Sequence, residues 1–422
     1  VGLIYLGIAF PEFKEAGSWR EFGIQELVKE MEKQVYDDGM DFEASTCYHR
    51  LALELFFYPA VLCRLNRIEL PQAFIDKLKK MFDFVLYVLK PNGKMPQIGD
   101  NDNGRLHVLG KRDILDTTYL LTFATLYYND PAYKIKEFGF APEVLWLFGP
   151  ESYERWSKLP GRSVEELESR AFPDGGIYVM RHKKDYMMIS CGPNGQGNLG
   201  GHAHNDKLSF ELCIDGEDII IDPGTYVYTV SPEWRNKFRS TAYHNTVTVA
   251  GGEHNVLPIS GVGLFRLDNR NACCVKKWEC GPMGDVFEGE HNGFAIGIRR
   301  LQAVHRRAIF YDKTERCWSI RDIFTTAERN TLVLSVGFHT APGTEVICHD
   351  GVVVLKRGKN AVIVRTARDY SFEVIDAWYS SQYGVRERTK RVIIHAQCPH
   401  RAEPSARLTL EFRVYAPFGK DE

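Results

Sequence analysis

Residues 200–224 read GGHAHNDKLSFELCIDGEDIIIDPG, and this stretch decides the fold class of the second half of the chain. Leu208, Phe210, Leu212 and Ile214 fall on every second position, the period of a strand with a buried face. Asp215-Gly216 supplies a tight turn, and Ile219-Ile220-Ile221 runs back, so the pair is an antiparallel hairpin. Runs of the same texture recur at 186–190, 246–250, 308–310, 331–336, 352–355, 361–364, 392–394 and 408–414. From Gly176 onward the chain therefore reads as an antiparallel β-sandwich, without the long helical crossovers that parallel strands need.

Upstream the period changes. Phe22, Leu27, Val28, Met31 and Val35 recur at roughly helical spacing between Trp19 and Tyr36. Helices are also predicted over 45–65, over 71–89 with a stop at Pro91-Asn92-Gly93, and over 114–128 with a stop at Asp130-Pro131. Short turns between successive helices predict stacked antiparallel helix hairpins. The polar run GPESYERWSKLPGRSVEELE at 149–168 separates the two textures. This gives a helical domain over 1–150, a linker over 151–170 and a β-domain over 171–422.

The 422 residues allow two or three domains, and 53 Lys+Arg against 55 Asp+Glu leave a net charge of −2, which argues against a general nucleic-acid binder. No run approaches 18 uncharged apolar residues, so no membrane-spanning helix is expected. Nucleotide binding has little support, because neither GxGxxG nor GxxxxGK[ST] occurs. The ten cysteines, at 47, 63, 191, 213, 273, 274, 280, 317, 348 and 398, contain no CxxC pair and read as buried or unpaired thiols.

Three polar clusters offer chemistry. In the first, His202 and His204 share a face if the segment is extended, and neighbouring strands could bring His204, Asp222 and His244 together. Two imidazoles and a carboxylate suit Zn²⁺ with water in a fourth position; the alternative is hydrogen bonding within sandwich loops. In the second, DFEASTCYHR at 41–50, Ser45 could cap a helix whose first turns hold Tyr48, His49 and Arg50, which point in different directions. By itself His49 reads more readily as a packing or surface histidine. In the third, GDNDNGR at 99–105, the opening resembles a calcium loop, but Lys111 stands at the twelfth position from Asp100, where a bidentate Glu is expected. An Asx-rich turn is the other reading, and Arg105 offers a fork suited to a carboxylate. Arg235 and Arg239, near Tyr243, are candidates for an anionic polymer.

These residues carry a family resemblance. GHAHNDKLSFEL, IIIDPGTYVY and FRSTAYHNTV, within 201–255, resemble the C-terminal half of the heparinase II/III-like polysaccharide lyases, a superfamily that includes oligoalginate lyases. DGMDFEASTCYHR and IGDNDNGR resemble motifs of that family's helical toroid. The resemblance implies an incomplete (α/α) toroid followed by an antiparallel β-sandwich, with a cleft between them. It further implies β-elimination on an acidic, uronate-containing polysaccharide or oligosaccharide, alginate and exopolysaccharides among the candidates. An altered glycan-processing or glycan-binding protein is the alternative.

Carried over by motif, His202 is the catalytic histidine, and His204, Asp222 and His244 are the metal set, with Zn²⁺ bracing the site. His49 matches a residue near the uronate carboxylate, and Arg105 a substrate-contacting arginine. The tyrosine expected as general acid two residues before that arginine is replaced by Asn103, which cannot supply the proton. Tyr48, Tyr226, Tyr228 and Tyr243 are the other phenols available. The resulting assignment places His202, His49 and Tyr243 in catalysis, and Tyr48, Arg50, Arg105, Asn205 and Arg239 on the substrate. Relatives begin with further toroid helices, so the start at Val1, inside a helical pattern, reads as truncated, with an export signal upstream and a periplasmic or secreted location. The oligomeric state stays open, a homodimer included.

Overall fold

The computed structural model describes residues 1–249, 252–267, 273–295, 301–326, 333–366, 370–397 and 406–415. Residue 250, residues 331–332 of an expected strand, and Cys398 lie outside them.

Seven helices among the described residues precede the first strand: α1 (Gly2–Ala9), α2 (Ala16–Gln34), α3 (Thr46–Leu65), α4 (Gln72–Val88), α5 (Thr118–Tyr128), and the short α6 (Leu145–Phe148) and α7 (Glu151–Lys158). Ser45 caps α3, its side chain accepting the Tyr48 N–H, while its own hydroxyl donates to the Asp100 carbonyl. That cap ties the start of α3 to the 99–105 loop. Helix α5 starts at Thr118, four residues later than expected, because Asp113 and Asp116 accept the Leu115 and Thr118 N–H groups at 2.9 and 3.0 Å and hold the backbone in Asx turns.

The strands form three antiparallel sheets. The first has five strands in sequence order: β1 (Arg170–Phe172), β2 (Ile177–His182), β3 (Asp185–Ser190), β4 (Phe210–Ile214) and β5 (Glu217–Ile220). It is covered on both faces. Ile177, Val179, Tyr186 and Met188 join the core of the helical domain, whereas Tyr178, Met180, Met187 and Ile189 join the core of the sandwich. Alternate residues thus serve two different partners, which explains why 177–180 of β2 and 186–189 of β3 are apolar at every position.

β6 (Val247–Val249) follows α8 (Pro232–Arg239). Then come β7 (Cys273–Cys280), β8 (Gly284–His291), β9 (Ala303–Asp312), β10 (Cys317–Thr326), β11 (Val333–His339), β12 (Glu345–His349), β13 (Val352–Arg357), β14 (Asn360–Thr366), β15 (Ser371–Gln382), β16 (Val385–Gln397) and β17 (Ala406–Tyr415). Eight of them form a sheet in the order β12-β13-β14-β17-β10-β9-β8-β7, and four form a sheet in the order β15-β16-β11-β6.

The helical domain and the first sheet are joined by buried polar contacts as well as by the shared core. Lys90 Nζ, after α4, lies 3.0 Å from Glu211 and 2.8 Å from Asp218, and the other Glu211 oxygen accepts the Gln97 N–H at 2.9 Å. Tyr186 donates its hydroxyl to the Val88 carbonyl at 2.7 Å. Groups buried this deeply must be paired, so the contacts fix the register of the 95–105 loop against β4. They set the loop that carries Asp100 opposite the loop that carries His202. No helix among the described residues is long and apolar enough to cross a membrane.

Candidate active site

Asp100 sits where the two domains meet, and four groups converge on it. Its Oδ2 lies 3.1 Å from His202 Nδ1, and its Oδ1 lies 2.9 Å from His204 Nε2. Arg235, from α8, binds both oxygens in a two-pronged pair, with Nη2 at 2.7 Å from Oδ2. The Asp100 N–H donates to the His202 carbonyl at 2.8 Å. Close approach of these backbones requires Gly99, whose φ is +67°; a Cβ there would stand 2.5 Å from the His202 carbonyl oxygen. Burial alone would raise the Asp100 pKa, but the Arg235 charge and the hydrogen bonds from His202 and His204 hold it well below the usual carboxylate range.

An ionised Asp100 settles both tautomers. His202 donates Nδ1–H to it, which leaves the Nε2 lone pair free, with Glu43 Oε2 3.9 Å away. The His202 side chain keeps 17% of its surface exposed, and no hydrogen bond among the described residues occupies its Nε2. Tyr48 covers one face of the imidazole, with ring centroids 3.8 Å apart. The Tyr48 hydroxyl is 2.9 Å from Asp102 Oδ2 and 3.2 Å from the Tyr228 hydroxyl. Burial, first of all, pushes both phenols above their ordinary pKa, so both carry protons at neutral pH. Phe265 packs edge-on against Tyr228, as does Tyr383, and the Tyr383 N–H holds Asn103 Oδ1 at 2.9 Å, leaving the Asn103 amide NH₂ as a donor. Several backbones here are strained. Ala44, Asn103, Gln196 and Tyr226 adopt φ of 58°, 65°, 51° and 66°, each at a cost of about 1–3 kcal/mol that the surrounding packing must offset.

His204 donates Nε2–H to Asp100, so its Nδ1 is an acceptor. His244 donates Nδ1–H to the Ser240 carbonyl at 2.8 Å, so its Nε2 is an acceptor too. Those two nitrogens face each other at 3.3 Å, and Asp222 Oδ2 is 3.4 Å from His244 Nε2. Three ligand atoms, all buried and all within 4.8 Å of one another, converge, and neither of the two imidazole nitrogens carries a proton. That is the environment a cation satisfies. Burial and Glu211 push the Asp222 carboxyl well above its usual range, and a bound cation reverses that balance. The residues therefore fit a metal ion.

The remaining expected site residues lie elsewhere. His49 is fully buried; its Nδ1 accepts the Asp41 N–H and its Nε2–H donates to the Met81 carbonyl, both at 3.1 Å. One helical position turns it away from the wall that Tyr48 occupies, so it is not brought to His202. Arg50 is buried and donates to the Ile114 and Gly104 carbonyls. Arg105 stacks on Tyr119 at 4.4 Å and pairs with Glu54 at 3.4 Å, with 8% of its side chain exposed. Tyr243 is buried, and its hydroxyl accepts the Trp378 N–H at 2.9 Å. Asn205 spends its amide on Glu253 and Asn255. Arg239 is buried with its guanidinium on Asn236 and the Leu264 carbonyl. These internal bonds hold the site's walls, while Arg50 Nε and Arg105 Nη2 stay buried with no hydrogen-bond partner among the described residues. Asp100, Glu43, Phe265 and Tyr383 carry the geometry without having been assigned from sequence. Arg235, a candidate for the polymer, is instead the partner of Asp100.

Known proteins share this architecture. Residues 165–408 match the family described as "Heparinase II/III-like, C-terminal", and residues 1–127 match "Heparinase II/III N-terminus". A heparin-sulfate lyase of Pedobacter heparinus is 27% identical over 298 residues, covering 67% of this chain and 38% of that protein. One of Bacteroides thetaiotaomicron is 25% identical over 384 residues, covering 85% of this chain and 48% of that protein. The crystal structure of a heparinase III superposes with a TM-score of 0.75 at 20% identity, over 99% of this chain and 60% of that one, a likeness of fold. The chain spans less than half the length of these two curated relatives. With both halves of the chain matched, and the C-terminal match alone covering more than half of it, the chain belongs to the heparinase II/III-like family.

Proposed function

We propose that the protein is a polysaccharide lyase that cleaves an acidic, uronate-containing glycan by β-elimination. The observation that carries this reading is the His202 imidazole, oriented by Asp100 on one nitrogen, open on the other, and stacked against a protonated phenol. In such a reaction His202 Nε2 takes the proton from C5 of the uronate. The electron pair moves into the carboxylate as an enolate, then forms the C4–C5 double bond as the C4–O bond breaks. The Tyr48 hydroxyl, which donates to Asp102 Oδ2 in the free protein and has the Tyr228 hydroxyl beside it, turns its proton to the departing bridging oxygen, the role that Asn103 cannot fill. The Asn103 amide NH₂, whose Oδ1 is held by the Tyr383 N–H, would hydrogen-bond the uronate carboxylate, where enolate charge accumulates. Asp100 and Glu43 flank the imidazolium once His202 holds the proton, as a carboxylate beside a catalytic histidine does.

His204, Asp222 and His244 would hold Zn²⁺, for which a set of two nitrogens and one oxygen is suited. Bound there, the ion supplies fixed charge that braces the 202–206 loop. The substrate class favoured first is a heparan-sulfate-type glycosaminoglycan, after the names of the curated relatives, and a location outside the cytoplasm suits such a polymer. The test is incubation with heparan sulfate, heparin, chondroitin sulfate, hyaluronan, alginate and bacterial exopolysaccharides, followed by ultraviolet absorbance of the unsaturated uronate. Absorbance growing with one of them supports the proposal; saturable binding without product from any would make this a glycan-binding protein.

A further inference from the structure

Two thiols outside the catalytic constellation stand together. Cys191 Sγ lies 3.1 Å from Cys273 Sγ across 82 positions of sequence. Cys191 follows β3 and is buried, whereas Cys273 opens β7 and is half-buried. The neighbouring Cys274 points elsewhere, toward Glu290 Oε1 at 3.8 Å. A disulfide has its sulfurs roughly 2.05 Å apart, so about 1 Å of closure separates this pair from a bond.

Cys191 leads directly into a segment that borders His202, and in sequence Cys273 follows another by a few residues. From Cys191 the chain passes through Gly192 to Gln196, whose amide NH₂ donates to Glu43 at 3.2 Å and whose carbonyl accepts the Gly201 N–H at 2.9 Å. Ahead of Cys273 lies the segment of Leu264, Phe265 and Leu267. Leu264 accepts from Arg235 and Arg239, Phe265 packs on Tyr228, and the Leu267 N–H donates to the Leu199 carbonyl at 3.1 Å. We propose that Cys191 and Cys273 are a disulfide-forming pair, an oxidative staple between the start of β7 and the end of β3, from which the chain runs on to the 192–196 segment beside the His202 cleft.

The chemistry balances with a small-molecule disulfide such as oxidised glutathione as the oxidant. The half-buried Cys273, as thiolate, attacks one glutathione sulfur, forming a mixed disulfide and expelling a glutathione thiolate. Cys191, as thiolate, then attacks the Cys273 sulfur and expels the second. The two protons from the protein thiols end on two reduced glutathiones, and the protein gives up two electrons. The hydrogen bond from Cys191 and the nearby Lys207 charge hold the Cys273 thiol below its ordinary pKa against the effect of burial, which favours the first step.

The test equilibrates the full chain in oxidised glutathione, blocks free thiols with an alkylating agent during unfolding, and maps the peptides. The expected result is a peptide linked through Cys191 and Cys273, two hydrogens lighter than the sum of its parts, with Tm falling by several degrees on reduction. In the Cys191→Ala/Cys273→Ala double variant that redox-dependent shift disappears. Recovery of both cysteines alkylated, linkage of either to a different cysteine, or a Tm shift that persists in the double variant would overturn the proposal. The peptide map needs no variant, so a variant that fails to fold leaves the test intact.

Discussion

The ring of Tyr48 lies on the ring of His202, with centroids 3.8 Å apart and planes inclined by 21°. A residue on the first turn of α3 thus meets a residue on the loop ahead of β4, and the contact lays a phenol ring against the imidazole. In the proposed reaction these are acid and base. Tyr48→Phe keeps the stacking and removes only the proton donor, so kcat on the cleaved glycan should fall about 100-fold or more while KM changes little. Tyr228→Phe, which removes a neighbour of that hydroxyl, should fall less. Initial rates of both variants check the order.

Asp100 holds His202 through one oxygen and His204 through the other. Asp100→Asn should therefore disturb two properties at once. With the tautomer of His202 no longer enforced, kcat should fall by about 10²–10⁴-fold. With His204 less well oriented, metal affinity should fall about 10–100-fold, measured by competition with a chromophoric chelator. Arg235 also loses its buried partner, at a cost of about 3–5 kcal/mol, which urea unfolding would register.

Because three lone pairs converge in the His204, Asp222 and His244 cluster, removal of a bound divalent ion should destabilise the protein. Saturating metal at 100–1,000 times its Kd contributes about 3–4 kcal/mol. Chelation should lower Tm by the corresponding amount, added Zn²⁺ should restore it, and His244→Ala should show neither change. Metal content by mass spectrometry gives the stoichiometry.

His49, buried against Phe84 at 4.4 Å, has its pKa pushed down to about 4 by burial. The unfolded chain protonates the same imidazole near pH 6.5. Between those values the unfolded state holds the additional proton, so stability falls as pH falls from about 6.5 to 4 and is steady in this term outside that window. The loss amounts to about 3 kcal/mol. Tm measured across pH 4–7 should flatten in His49→Gln, with a lower Tm at pH 7 because the fit between Asp41 and Met81 is disturbed. A matching loss of kcat at equal foldedness would point instead to a direct role in the reaction.

Much of this architecture was readable in one dimension because its apolar periods are clean: α4 buries Phe74, Leu78, Met81, Phe82 and Val85 on one side, and Phe210, Leu212 and Ile214 of β4 share the sandwich core as expected, although Glu211 and Cys213 between them are buried too. β8 was not readable. Its inward positions are Asp285, Phe287, Gly289 and His291, so a single apolar side chain marks the buried face. β15 exposes most of its first half, and its apolar residues carry no consistent face. In the site, His202, His204, Asp222 and His244 stand out through their short spacing around one hairpin and one loop. Asp100 does not, because the partners that define it are 102 to 135 positions away. The neighbours Tyr48 and His49 show the limit of motif transfer. Successive helical positions point about 100° apart, and only the fold reveals which of them meets His202.

The central claim is that His202 Nε2 removes the C5 proton of a uronate. Its most direct measurement is the rate at which His202→Ala forms unsaturated uronate from a glycan that the unaltered protein cleaves, with Tm recorded alongside. The account predicts a rate at least about 10³-fold lower with Tm nearly unchanged, since the His202 ring is partly exposed and Asp100 keeps Arg235 and His204. A rate within tenfold of the unaltered protein would contradict it.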